Sequence, residues 1–105
     1  MSDQAVIVQF RYGSTDLSTL FSLEDKLEAA INAAGVGEYD GHEVAVDGSD
    51  GTLFMYGPSA DRLFEIIDPI LRTVPFMNGA VVRRRYGGPA KGSREVISTI
   101  EPLGS

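Results

Sequence analysis

The chain has 105 residues, no cysteine and a formal net charge of −6, and 43% of its residues are hydrophobic. This length and apolar content predict one domain over residues 1–105, whereas the absence of cysteine excludes a disulfide framework, a thiolate metal site and a cysteine nucleophile. No apolar run approaches the roughly 18–20 residues that span a bilayer, and the first residues lack the pattern of a secretory signal, so we expect a cytoplasmic protein.

The charge is unevenly distributed along the chain. Residues 1–82 hold four basic and thirteen acidic side chains, a net charge of −9, whereas residues 83–94 hold five basic side chains and no acidic one. An acidic body repels phosphate, which argues against general nucleic-acid binding. The basic segment is the exception that needs an explanation.

The first two predicted elements are a strand and a helix. Apolar residues on both faces of residues 5–11 predict a central strand. A loop over residues 12–21 follows, and an apolar stripe at helical spacing predicts a helix over residues 22–34. Ser22 suits the N-cap of this helix, and Gly35 suits its C-cap.

A hairpin is predicted in the middle of the chain. Residues 37–41 indicate a turn, and two strands are expected over residues 42–47 and 52–56. Residues 48–51, Gly-Ser-Asp-Gly, join them with the residue types of a hairpin turn.

The second half predicts another helix and two more strands. Ser59 suits the N-cap of a helix that runs to about residue 73, and its apolar periodicity continues beyond Pro69. Strands are expected over residues 80–86 and 94–100, joined by a glycine-rich loop as an antiparallel hairpin.

The resulting order, β-α-β-β-α-β-β, resembles the ferredoxin-like superfold over residues 5–86. The resemblance lies in the order of the elements, and it implies an α+β sandwich, βαββαβ, with an antiparallel sheet, both helices on one face and an added C-terminal strand. This superfold hosts many unrelated functions, so the function has to be argued from particular residues.

The basic hairpin is the strongest functional hint in the sequence. Arg83, Arg84, Arg85, Lys91 and Arg94 fall within twelve residues, and such a cluster can bind a small anion or an acidic partner surface. Because side chains alternate along a strand, Arg84 is expected on one face and Arg83 and Arg85 on the other. The alternative is that the arginines only block strand pairing at an exposed edge and keep the chain soluble.

His42, the only histidine, is the main candidate for chemistry. It is in phase with Val44, and Glu43 points to the opposite face. A catalytic histidine needs an orienting carboxylate within reach, and Asp40 is a candidate that no spacing rule links to it. We therefore favour a structural histidine.

The acidic stretch between residues 38 and 50 does not predict a metal site. It lacks the regular oxygen ligands and the terminal glutamate of a calcium-binding loop. With one histidine and no cysteine, the usual ligands of a transition metal are also missing. We predict neither a metal nor a cofactor.

Three aromatic residues, Phe10, Phe54 and Tyr56, lie on the strands expected at the centre of the sheet. RNA-recognition domains of the same superfold stack bases on such aromatics. Their strand pattern begins with a basic residue, where this chain has Asp50. Core packing or a dimer contact through the sheet is therefore the favoured interpretation.

Three functions remain open. The first is a non-enzymatic binding or regulatory module that contacts a protein, or a second copy of itself, through the sheet. The second is a cofactor-free enzyme of the dimeric α+β-barrel type, with His42, Tyr56 and Arg84 as the groups to consider. The third is an RNA or nucleotide binder that uses the arginine hairpin.

A homodimer is predicted because a sheet covered on one side leaves apolar residues on the other.

Overall fold

The computed structural model describes residues 4–87 and 94–101 of the chain. These residues form five strands and two helices in the predicted order. The strands are β1 (Gln4–Arg11), β2 (Glu38–Val44), β3 (Asp50–Gly57), β4 (Val81–Arg85) and β5 (Glu95–Thr99). The helices are α1 (Ser18–Ala34) and α2 (Ala60–Leu71), and a short 3-10 turn at Pro75–Met77 precedes β4. Neither helix is long and apolar enough to cross a membrane.

The five strands form one antiparallel sheet in the order β2-β3-β1-β4-β5. Each helix connects two strands that have one other strand between them. This is the arrangement that the ferredoxin-like element order implies, with β5 added beside β4. The predicted α+β fold class is confirmed.

The core lies between the sheet and both helices. It contains side chains from alternate positions of the strands and from one stripe of each helix, among them Val6, Val8, Leu53, Met55, Val82, Leu23, Leu27, Ile31, Leu63 and Ile67. Burying a side chain of this size stabilises the fold by about 1.5–3 kcal/mol. Because residues of both helices pack against the same strand face, the prediction that both helices cover one face is confirmed.

Helix α1 begins four residues earlier than predicted. The expected N-cap, Ser22, is an exposed residue within the helix. Leu20 is fully buried in the core, so the apolar stripe begins one turn before the predicted start of the helix. The amide of Ser18 donates to the Asp16 carboxylate, and this hydrogen bond lowers the pKa of Asp16. Gly35 ends the helix in the left-handed conformation, as predicted.

Strand β2 occupies residues 38–44 and not the predicted residues 42–47. The residues expected to form a turn pair with β3 instead, and a β-bulge between Tyr39 and Gly41 shifts the register. The sequence pattern did not indicate the first part of this strand, because the bulge breaks the alternation on which the prediction depends. Val46, predicted as part of the strand, is fully exposed. The other strand bounds agree with the prediction to within two residues, and Ser59 caps α2 as expected.

Candidate functional site on the open face of the sheet

The side of the sheet opposite α1 and α2, called here the open face, is the main candidate site. Directly paired residues of neighbouring strands point to the same side, so the strand register assigns each residue to a face. Three successive rows run across the open face from β2 to β5. Row one is Glu38, Tyr56, Ala5, Arg85 and Glu95; row two is Gly41, Phe54, Ile7, Arg83 and Ile97; row three is Glu43, Thr52, Gln9, Val81 and Thr99.

The centre of the open face is apolar. Ile7 and Phe54 are direct neighbours in row two, and Tyr56 lies beside Phe54 in row one. All three are partly exposed, and Ile97 at the other end of row two is 58% exposed. Within residues 4–87 and 94–101, both helices lie on the other side of the sheet and leave these side chains uncovered. Such a patch is typical of an interaction surface.

The two sides of this apolar centre carry opposite charges. Strand β2 contributes the exposed carboxylates of Glu38 and Glu43 on one side. Strand β4 contributes Arg83 and Arg85 on the other side. Asp40, at the bulge of β2, adds a third exposed carboxylate and borders the groove beside Phe54. The open face therefore has an acidic side, an apolar centre and a basic side.

The two open-face arginines have partial partners within their own chain. The Nε of Arg83 lies 3.7 Å from the Glu95 carboxylate, and both side chains are about 40% exposed. This Nε has no hydrogen-bond partner in the part of the chain that the structure describes. The Nε of Arg85 donates to the carbonyl oxygen of Gly87. An exposed pair such as Arg83–Glu95 contributes only about 0–1 kcal/mol, so it does not cancel the basic character of this side.

Arg84 lies on the opposite side of the sheet, beside α2, as the predicted alternation requires. Its Nη1 donates to the Asp61 carboxylate at 3.0 Å, and its guanidinium lies 4.8 Å from the centre of the Phe64 ring. The hydroxyl of Tyr86 donates to the same carboxylate, which raises the pKa of Tyr86. Arg84 therefore holds β4 against α2. Its charge is already matched.

Two further cations belong to the predicted basic hairpin, Arg94 and Lys91. The Arg94 guanidinium lies 5.5 Å from the centre of the Tyr86 ring. Lys91 lies outside the described residues. The described arginines of this hairpin are therefore divided between the two faces of the sheet.

His42 lies on the helix side of β2, in phase with Val44 and opposite in direction to Glu43, as predicted. Its orienting carboxylate is not Asp40 but Glu24 of α1, which the sequence analysis missed. The Nδ1 of His42 is 3.0 Å from Oε2 and 2.8 Å from Oε1 of Glu24. An ionised carboxylate only accepts, so Nδ1 carries the proton of this hydrogen bond.

The same carboxylate binds a second residue of β2. The hydroxyl of Tyr39 donates to Oε2 of Glu24 at 2.7 Å. Burial, together with this hydrogen bond, raises the pKa of Tyr39 strongly. Glu24 is 18 residues from His42 and 15 from Tyr39, so no local spacing in the sequence could have indicated this cluster.

The three groups considered for an enzyme do not meet in one chain. His42 and Tyr56 border a shallow groove of about 290 Å³ with Asp40, Glu43 and Phe54. Arg84 lies on β4, three strand positions from β2, and points to the helix side of the sheet, away from Tyr56. Phe10 is buried in the core, so it does not join Phe54 and Tyr56 as a base-stacking surface. Within the described ranges, no group of three acidic or histidine side chains is arranged to hold a metal ion.

The far end of the open face is polar. A cavity of about 510 Å³ lies beyond row three, where β1, β3 and the segment before β4 meet, and polar side chains including Gln9, Arg11, Asp50, Thr52 and Asn78 line it. The apolar contact surface is therefore concentrated in rows one and two.

The chain matches no family model, no curated protein and no solved structure. The function therefore has to be inferred from the geometry of the fold.

Proposed function

We propose that this protein is a non-enzymatic protein-interaction module that forms a homodimer through the open face of its sheet. The proposal depends on the order in which three kinds of side chain lie across that face. Carboxylates lie on β2, apolar side chains on β3 and β1, and arginines on β4. A second copy presents the same three surfaces, so each acidic side can meet a basic one while the apolar centres pack together.

The apolar centre supplies the attraction. Neighbouring strands are about 4.8 Å apart and alternate residues along a strand about 6.8 Å apart, so three rows on four or five strands cover roughly 400–500 Å². Two such faces bury on the order of 800–1,000 Å², which is below the size of stable complexes and in the range of weak, transient interfaces. We therefore expect a dimer that dissociates on dilution.

The charges favour a second copy over a nucleic acid. Glu38, Asp40 and Glu43 lie at the same face as Phe54 and Tyr56. A phosphate backbone laid across these aromatics would approach three carboxylates, and the repulsion would oppose binding. The cysteine-free composition also supports our proposal that the protein works in the cytoplasm.

An enzyme is the weaker alternative. Glu24 orients His42, which is one requirement of a general base. Tyr56 borders the same groove as His42 but projects from the opposite face of the sheet, and Arg84 lies three strand positions away, so these groups do not converge on the imidazole. The Glu24–His42 pair is better explained as a tie between α1 and the edge strand β2.

The test is sedimentation velocity at protein concentrations from 1 to 500 µM, on wild-type protein and two matched variants. Phe54→Ser removes an aromatic ring from the centre of the open face, and Phe21→Ser removes one that is 49% exposed on α1. Wild-type protein and Phe21→Ser should dimerise alike, and Phe54→Ser should raise the dissociation constant at least tenfold. Circular dichroism checks that both variants are folded. A wild-type protein that is monomeric at 500 µM would overturn the proposal.

A further inference from the structure

The charge pattern of the open face also fixes how two copies are oriented, if they pair as proposed above. A two-fold axis that brings two open faces together lies in the plane between the two sheets. The two limiting directions are along the strands and across them. They place different strands opposite one another, so the charges distinguish between them.

An axis across the strands places each strand opposite its own copy. The β2 strands would then face each other with Glu38 and Glu43 on both sides, and the β4 strands with Arg83 and Arg85 on both sides. Like charges brought together in this way are destabilising.

An axis along the strands reverses the strand order of the second copy. With the axis between β1 and β3, β2 of each copy faces β4 of the other, and β3 faces β1. Strand β5 then lies beyond the overlap. Carboxylates face arginines on both sides of the axis, and the apolar centres face each other.

This rotation leaves positions along the strands unchanged, so each row faces the same row of the second copy. In row one, Glu38 and Arg85 lie on β2 and β4, and in row two, Phe54 and Ile7 lie on β3 and β1. We infer that the two-fold axis runs parallel to the strands between β1 and β3, so that Glu38 of each copy pairs with Arg85 of the other and Phe54 packs on Ile7.

Sheet twist does not prevent the pairing. Packed sheets cross at about 30°, and β2 lies about 7 Å from the proposed axis, so the crossing displaces Glu38 by roughly 4 Å relative to its partner. The long side chains of glutamate and arginine can span this displacement.

Within one chain, the backbones of Glu38 and Arg85 are well separated. They lie three strand positions apart, which is about 14 Å. Any energetic coupling between them therefore reports a contact between copies.

The experiment mixes two charge-reversed variants. Glu38→Arg alone and Arg85→Glu alone each place like charges at both symmetric contacts, so each should raise the dissociation constant at least tenfold. In an equimolar mixture the heterodimer has opposite charges at both contacts again. We expect its dissociation constant to return to within about threefold of the wild-type value.

Two further proteins serve as controls. Glu28→Arg changes an exposed carboxylate on α1, and its mixture with Arg85→Glu should reach only an intermediate dissociation constant, because one of the two symmetric contacts in that heterodimer still has like charges. Arg85→Glu also faces Glu95 within its own chain. If circular dichroism shows that it unfolds, the double variant Arg85→Glu with Glu95→Arg restores an opposite pair there, outside the proposed overlap.

The outcomes separate the orientation from the proposed function. A wild-type dimer whose two variants do not recover on mixing would overturn the strand-parallel axis. Tighter dimerisation by Glu38→Arg alone would favour the axis across the strands, because an arginine would then face a carboxylate. A wild-type protein that stays monomeric would overturn both the dimer and its orientation.

Discussion

The carboxylate of Glu24 on α1 lies 2.8 Å from the Nδ1 of His42 on β2. The two side chains are 13% and 27% exposed, so the pair is largely screened from water. Strand β2 is an edge strand that pairs only with β3 in the described sheet. The pair therefore ties the free side of β2 to the helix layer. Phe21 extends the contact, with its ring centre 5.9 Å from that of His42.

Replacing Glu24 should destabilise the fold. Glu24→Gln removes the charged acceptor of both His42 and Tyr39, and hydrogen bonds to charged groups contribute about 1.5–3 kcal/mol. We expect the free energy of unfolding at pH 7, measured by urea titration, to fall by about 1–3 kcal/mol. Asp25→Asn, an exposed neighbour on the same helix, should change it by less than about 0.5 kcal/mol. Equal effects of the two variants would contradict the role of Glu24.

The fall in the free energy of unfolding at alkaline pH should depend on Tyr39. Burial and the hydrogen bond to Glu24 raise its pKa in the native state, whereas an unfolded tyrosine ionises near pH 10. Below about pH 10 the contribution of Tyr39 is fully present. At higher pH the unfolded state loses a proton that the native state retains, so the free energy of unfolding falls as the pH rises.

Urea titrations between pH 8 and pH 11 measure this dependence. Tyr39→Phe should lower stability at pH 8, because the hydrogen bond to Glu24 is lost, and it should flatten the fall above pH 10. Tyr86→Phe should flatten it less, because the hydroxyl of Tyr86 bonds to the exposed carboxylate of Asp61. An unchanged alkaline slope in Tyr39→Phe would show that another group controls it.

The arginines of β4 should separate into one that stabilises the fold and two that serve the interface. Arg84→Ser loses the pair with Asp61 and the contact with the Phe64 ring, so we expect about 1–2 kcal/mol of destabilisation. The double variant Arg83→Ser and Arg85→Ser should cost less than about 1 kcal/mol but weaken the dimer at least tenfold. Urea titration at 1 µM and sedimentation velocity at high concentration measure the two effects. If the double variant is the less stable protein, the arginines of the open face are structural.

The candidate site was only partly predictable. Alternation along a strand was sufficient to place Arg84 on one face and Arg83 and Arg85 on the other, because that alternation is a property of the local backbone. The bulge at Tyr39 and Gly41 was not predictable from the pattern, since it inserts a residue and breaks the period of two. The early start of α1 was missed because Leu20 has a core role that its loop-like neighbours obscure.

The sequence by itself determined the order of the elements, the fold class and the absence of cysteine chemistry, because apolar periodicity and residue type are local properties. Only the tertiary structure decided which residues share a surface. Glu38 and Arg85 fall in one row, and Glu24 meets His42, through pairings between residues far apart in the chain. Such pairings depend on strand register and on helix packing, which burial of the whole core selects and no short segment specifies.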